Sequence, residues 1–165
     1  MIAKSFSVRL RFEESKRKVH QMADIQPILL SAITCGRVIF DKVSGMPSII
    51  DIVQTIDAQK YPARHPQIVF FCELTNGHGK TKTQIRLVDT QEDERTIFER
   101  EGTVEFGDVK RIVTLAVNLQ GIVFPHPGEY RFQLYAGGAL LGDRRIICRK
   151  VNLPPRPGPT ESTQR

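Results

Sequence analysis

Residues 119–151 read LQGIVFPHPGEYRFQLYAGGALLGDRRIICRKV, and few folds accept that order. A Pro/Gly-rich corner at 125–128 feeds an alternating strand, Gly137 and Gly138 turn the chain, and a second apolar-patterned strand returns. This predicts a closing hairpin that pairs 129–135 with 140–151, as in a β-sandwich of immunoglobulin type. Tyr130 falls just after the bend. There its ring can turn inward with Phe132 and Leu134 while its hydroxyl bonds nearby backbone.

The rest of the chain extends the pattern. Residues 28–33 and 37–40 read as one strand or as two kinked at Gly36, and 41–45 (DKVSG) as a turn held by Asp41 and Gly45. Residues 48–56 form the return strand, and YPARHP (61–66) reads as a loop because two prolines do not fit a central ladder. Residues 68–74 are apolar on both phases. NGHG (76–79) predicts a tight hairpin turn into 81–88. A polar loop, DTQEDE, leads to strands at 96–106 and 111–119. Eight or nine short strands without a long amphipathic helix predict an all-β, immunoglobulin-like antiparallel sandwich over residues 25–151. Residues 152–165 (NLPPRPGPTESTQR continued from Val151) are predicted to be a disordered Pro-rich tail.

CGRVIFD (35–41), SGMPSIIDI (44–52) and PGEYRFQLYAGG (127–138) resemble a family of short, uncharacterised bacterial single-domain proteins. The resemblance covers about residues 28–151. It implies the sandwich fold and a bacterial source, and it supplies no activity, cofactor or site residue.

The net charge of +6 is unevenly placed. Residues 1–21 carry Lys4, Arg9, Arg11, Lys16, Arg17 and Lys18 against Glu13 and Glu14. Six minus two leaves +4 there and +2 for the remainder. The basic character therefore belongs to an N-terminal extension, residues 1–24. Within it Phe6, Val8, Leu10 and Phe12 alternate with Ser5, Ser7, Arg9 and Arg11, the period of a strand. A start at Met22 would leave residues 1–21 outside the natural protein; retained, they form an extra edge strand or a basic arm.

Chemistry-bearing patterns are scarce. Gly79-Lys80-Thr81 lacks the glycine a phosphate loop needs, since position 74 is leucine, and a strand follows instead of a helix. His20, His65, His78 and His126 have no metal-ligand spacing; convergence of His78 and His126 with Asp89 is the one arrangement that would give them a role. Glu99, Glu101 and Glu105 share the outward phase of one strand, and no GxSxG elbow is present. Cys35, Cys72 and Cys148 sit in apolar strands, which predicts buried free thiols; a Cys35–Cys148 bridge is the alternative that the odd count disfavours. No cofactor, metal or catalytic residue is assigned.

What remains is surface. If Ile68, Phe70, Cys72 and Leu74 fill the core, Val69 and Phe71 point the other way, under either another segment of this chain or a partner. The candidate interaction surface is thus Val69 and Phe71 together with Phe6, Val8 and Leu10. The leading expectation is a non-catalytic, cytoplasmic interaction module that binds another protein or itself, with no membrane partner. Nonspecific nucleic-acid binding through Arg9, Arg11, Lys16, Arg17 and Lys18 is the alternative. A small-ligand or carbohydrate site at the loops holding Tyr61, His65, His78 and His126 is a weaker one.

Overall fold

A computed structural model describes residues 26–152. It contains nine strands: β1 (Ile28–Phe40), β2 (Pro47–Ile52), β3 (Thr55–Ala58), β4 (Ala63–Thr75), β5 (Gly79–Asp89), β6 (Arg95–Phe106), β7 (Val113–Phe124), β8 (Gly128–Ala136) and β9 (Ala139–Lys150). They form two sheets, ordered β2-β1-β4-β7 and β3-β9-β8-β5-β6. The all-β, two-sheet architecture is the one the sequence predicts. The extension (1–24) and the Pro-rich tail, apart from Asn152, lie outside the described residues.

The core lies between the sheets. Ile68, Phe70, Cys72 and Leu74 of β4 meet Ile85 and Leu87 of β5, Phe132 and Leu134 of β8, and Ile146 and Cys148 of β9. The Phe70 and Phe132 rings approach to 5.8 Å between centroids. Alternation puts these residues on one face of each strand. The cysteines are free and buried. Desolvation pushes the Cys72 and Cys148 thiols up to about 12 and raises Cys35.

Three turns match their chemistry. Asp41 Oδ1 accepts from the Val43 and Ser44 N–H groups, and Gly45 takes φ 69° between β1 and β2. DTQEDE joins the paired strands β5 and β6. Gly137 and Gly138, at φ 59° and 86°, join β8 to β9, a left-handed pair that glycine adopts without a Cβ penalty.

Other expectations are corrected. NGHG does not close a hairpin: β4 and β5 belong to different sheets. Both edges of β4 are taken, by β1 and by β7, so the chain must arch across the core instead. Gly77 makes the arch by lying against the Phe106 ring, where a Cβ would come within 2.4 Å of ring carbons. The single return strand 48–56 is two strands. β2 stays with β1, the chain crosses at Val53 and Gln54, and β3 pairs with β9 in parallel, not antiparallel, register. The crossing is pinned by Val53 N–H to Thr34 O at 2.7 Å, Thr34 Oγ1 to Val53 O at 2.6 Å and Ile147 N–H to Gln54 O at 3.0 Å. Residues 63–66, expected in a loop, open β4. The described β1–β4 register ends at Cys35–Val69, whereas β4 pairs with β7 down to Ala63–Phe124. Pro66 therefore sits where one side of β4 has no ladder for its missing N–H to interrupt.

The sandwich is thus closed along one side by the β2–β3 crossing and open along the other. There the edges β6 and β7 face each other, bridged by Arg100 Nη1 donating to Asn118 O at 2.9 Å.

Candidate functional site

Three places could carry function: the outer face of the β2-β1-β4-β7 sheet, the loop end near Tyr130, and the open side.

On the outer face, Val69 and Phe71 stand apart from the core cluster, in the phase opposite Phe70 and Cys72. They are nevertheless only 5% and 2% exposed. Register aligns Phe71 with Ile33 and Ala116, and Val69 with Cys35 and Asn118. Further along the same face, Ile52 opposes Cys35 and Ile50 opposes Arg37. The accessible apolar surface is therefore shifted from Val69 and Phe71 toward the β1–β2 edge, where Ile39, Ile50 and Ile52 are 46%, 37% and 57% exposed. A group of exposed isoleucines beside an already apolar strip is the kind of surface that marks an interface. Phe6, Val8 and Leu10, and the basic residues Arg9, Arg11, Lys16, Arg17 and Lys18, lie outside the described residues.

At the loop end, the tyrosine corner forms. Tyr130 Oη donates to His126 O at 2.8 Å and accepts from His126 N–H at 3.3 Å. Its ring packs edge-on against Phe124, 5.0 Å between centroids. Desolvation carries its phenol up to about 12, partly offset by the bond to His126. Asp89, at the end of β5, is fully buried. Its Oδ1 caps the Gln91 N–H at 3.0 Å and its Oδ2 stands 2.7 Å from His126 Nε2. This is a close charge contact when the imidazole is protonated, not an aligned hydrogen bond, for Oδ2 has no hydrogen-bond donor among the described residues. Asp89 and His126 thus do converge, and His78 does not join them: it precedes β5, which runs eleven residues to Asp89. No serine, threonine or cysteine nucleophile is hydrogen-bonded to His126 among the described residues. The group reads as a clasp between the β5–β6 and β7–β8 connections.

His65 is on β4, far along the chain from both, and burial lowers its pKa. Among the described residues no three His, Cys, Asp or Glu side chains gather as a metal site would need, and no helix is long and apolar enough to cross a membrane.

On the open side, a cleft of about 340 Å³ runs between β6 and β7. Ile85, Leu115, Val117 and Leu134 line it, with Arg100 and Glu101 among its polar residues. Gly102, opposite Thr83, contributes no side chain. This cleft has no local sequence signal, because it depends on which strands end up at the edges.

A model of the Family of unknown function (DUF6941) matches residues 30–149. The chain belongs to that family. Membership of DUF6941 brings no catalytic residue with it, since the family has no assigned function. No curated protein matches this DUF6941 chain. Among solved structures, Pseudomonas fluorescens alkylpurine DNA glycosylase AlkC bound to DNA containing an abasic site analog is similar over 81% of the chain, with TM-score 0.46 and 7% identity. The DUF6941 chain spans 34% of that protein's length, and a likeness of this size carries no functional argument.

Proposed function

We propose that this DUF6941 chain is a non-catalytic, cytoplasmic interaction module that binds a second copy of itself through the outer face of the β2-β1-β4-β7 sheet. The observation that carries the reading is the two-sided apolar character of β4 continued sideways into the exposed Ile39, Ile50 and Ile52. A two-fold interface requires a patch that complements itself. Apolar side chains do so at any relative orientation, and Arg37 is the one charged residue in the register between them. Three unpaired thiols fit a reducing compartment.

Light scattering on the full chain tests this at concentrations bracketing 1–100 μM, beside the double variant Ile50→Lys, Ile52→Lys. Both positions are exposed, so the variant keeps the core, and thermal unfolding verifies that. A dimer that becomes a monomer in the variant supports the proposal. A full chain that stays monomeric throughout the range overturns it.

A further inference from the structure

The four sheet edges are unequally defended. β2 is six residues long, begins at Pro47 and breaks its twist at Asp51, φ 56°. β3 has four residues. β6 is long but carries Arg95, Glu99, Arg100, Glu101 and Glu105. β7 is different: VTLAVNLQGIVF is twelve residues with neither a charge nor a proline. Short edges, charges, prolines and bulges are the devices that keep free strand edges from pairing. The one backbone irregularity of β7 is Gly121 at φ 65°, toward its far end, and the register with β4 runs through it without a shift.

Among the described residues, no strand lies beside the near end of β7 on its free side. Asn118 O accepts from Arg100 across the free side. By the alternation of an antiparallel ladder, Thr114 and Ala116 also turn their N–H and C=O groups to that side. Beside them lies the 340 Å³ cleft walled by Ile85, Leu115, Val117 and Leu134. A strand added to β7 would form main-chain bonds at the edge and drop alternate side chains into this cleft, so those side chains should be apolar. Its other side chains would continue the outward face of Thr114, Ala116 and Asn118, where charge is tolerated.

One segment of this sequence has that pattern. In residues 5–12, Phe6, Val8, Leu10 and Phe12 alternate with serines and arginines, and these residues lie outside the described part. Reach and direction agree. β1 starts opposite Thr75 and β7 starts opposite Leu74, so both begin at one end of the sheet. The free position beyond β7 is three strand spacings from β1, about 14 Å. Residues 13–25 can cover ~40 Å when extended. A segment returning along β7 from that end runs antiparallel to it.

We propose that the free edge of β7 is a strand-acceptor site and that its occupant is residues 5–12 of this chain. The site lies at the opposite edge of the sheet from the exposed Ile39, Ile50 and Ile52, so either reading can fail alone.

Amide hydrogen exchange by NMR on the full chain tests it. The Thr114 and Ala116 amides should exchange at least tenfold slower in the parent than in Val8→Pro, Arg9→Pro, which removes an N–H in each phase of the donor. A synthetic peptide of residues 5–12 added to that variant should restore the protection. Ala116→Pro blocks the acceptor from the other side, and it should release protection of amides within residues 6–12 while β4 amides remain slow. Protection that falls in the donor variant of a monomeric chain means supply in cis. If light scattering shows a dimer that dissociates in the same variant, copies exchange the segment; both outcomes support the site. Equal exchange at Thr114 and Ala116 in parent and donor variant, fast or slow, overturns it. The Ile50→Lys, Ile52→Lys variant should leave this protection unchanged.

Discussion

Replacing Tyr130 by phenylalanine removes one oxygen from a fully buried ring and isolates the energetics of the corner. The ring contact with Phe124 persists, so no large cavity forms and the loss is polar. The hydroxyl makes two backbone bonds to a single residue, donating to His126 O at 2.8 Å and accepting from His126 N–H at 3.3 Å, with the His126 ring Nδ1 a longer contact at 3.4 Å. A net hydrogen bond is worth about 1 kcal/mol, and a partner left unsatisfied in a buried place costs roughly 1–3 kcal/mol. The donated bond is short and should contribute that full amount. The accepted one is long, and His126 is partly open to water, which can replace the phenol. The sum is about 2 kcal/mol of destabilisation, which lowers Tm by roughly 6–10 °C for a domain of this size. Urea unfolding should show a lower midpoint at unchanged m. A loss below about 0.5 kcal/mol would mean that the loop finds equivalent bonds without Tyr130, and the corner would not be what fixes the β7–β8 connection.

Two further outcomes follow from burial. At pH 8 the native thiols should resist an aromatic disulfide reagent, because desolvation holds Cys72 and Cys148 near 12 and raises Cys35; rapid labelling of any of the three before unfolding would contradict the core assignment. His65 has its pKa lowered by burial, so the fold prefers the neutral ring. Its contribution to stability is present above the unfolded value near 6.5 and declines as pH falls through the lower folded value. Urea midpoints compared at pH 7.5 and 5 should therefore drop less in His65→Asn than in the parent, and an identical drop would remove His65 from the explanation.

The strands were legible where alternation and turn chemistry agreed. Gly137 and Gly138 announce the β8–β9 hairpin, and Asp41 with Gly45 announces β1–β2, because local backbone requirements settle those turns. NGHG meets the same local requirements and yet joins two sheets. The difference lies in β1 and β7 having claimed both edges of β4, which no local signal reports. The split of 48–56 is equally nonlocal, since Ile56 leaves its neighbours to pair with Cys148. Asp89 and His126 could be named as a conceivable pair, but only the shared end of β5 and the β7–β8 loop brings them within 2.7 Å. The buried state of Val69 and Phe71 was likewise beyond periodicity, which gives the face of a residue and not what lies on it. β7, by contrast, shows its lack of charge in the sequence; that it is an edge emerges only from the sheet order.

The parallel pairing of β3 with β9 also bears on how the chain is made. Residues 55–58 leave the ribosome long before 147–150, the strand against which they bond. Until then β1, β2 and β4 can associate, while the crossing at Val53 and Gln54 has nothing in the second sheet to hold. Loop-closure entropy for so distant a contact must be met before any bond is gained, which slows such topologies. A nascent chain would carry Ile56 and the apolar β4 uncovered through most of synthesis. For this protein the period between translation and closure, more than the finished fold, is when a chaperone would matter.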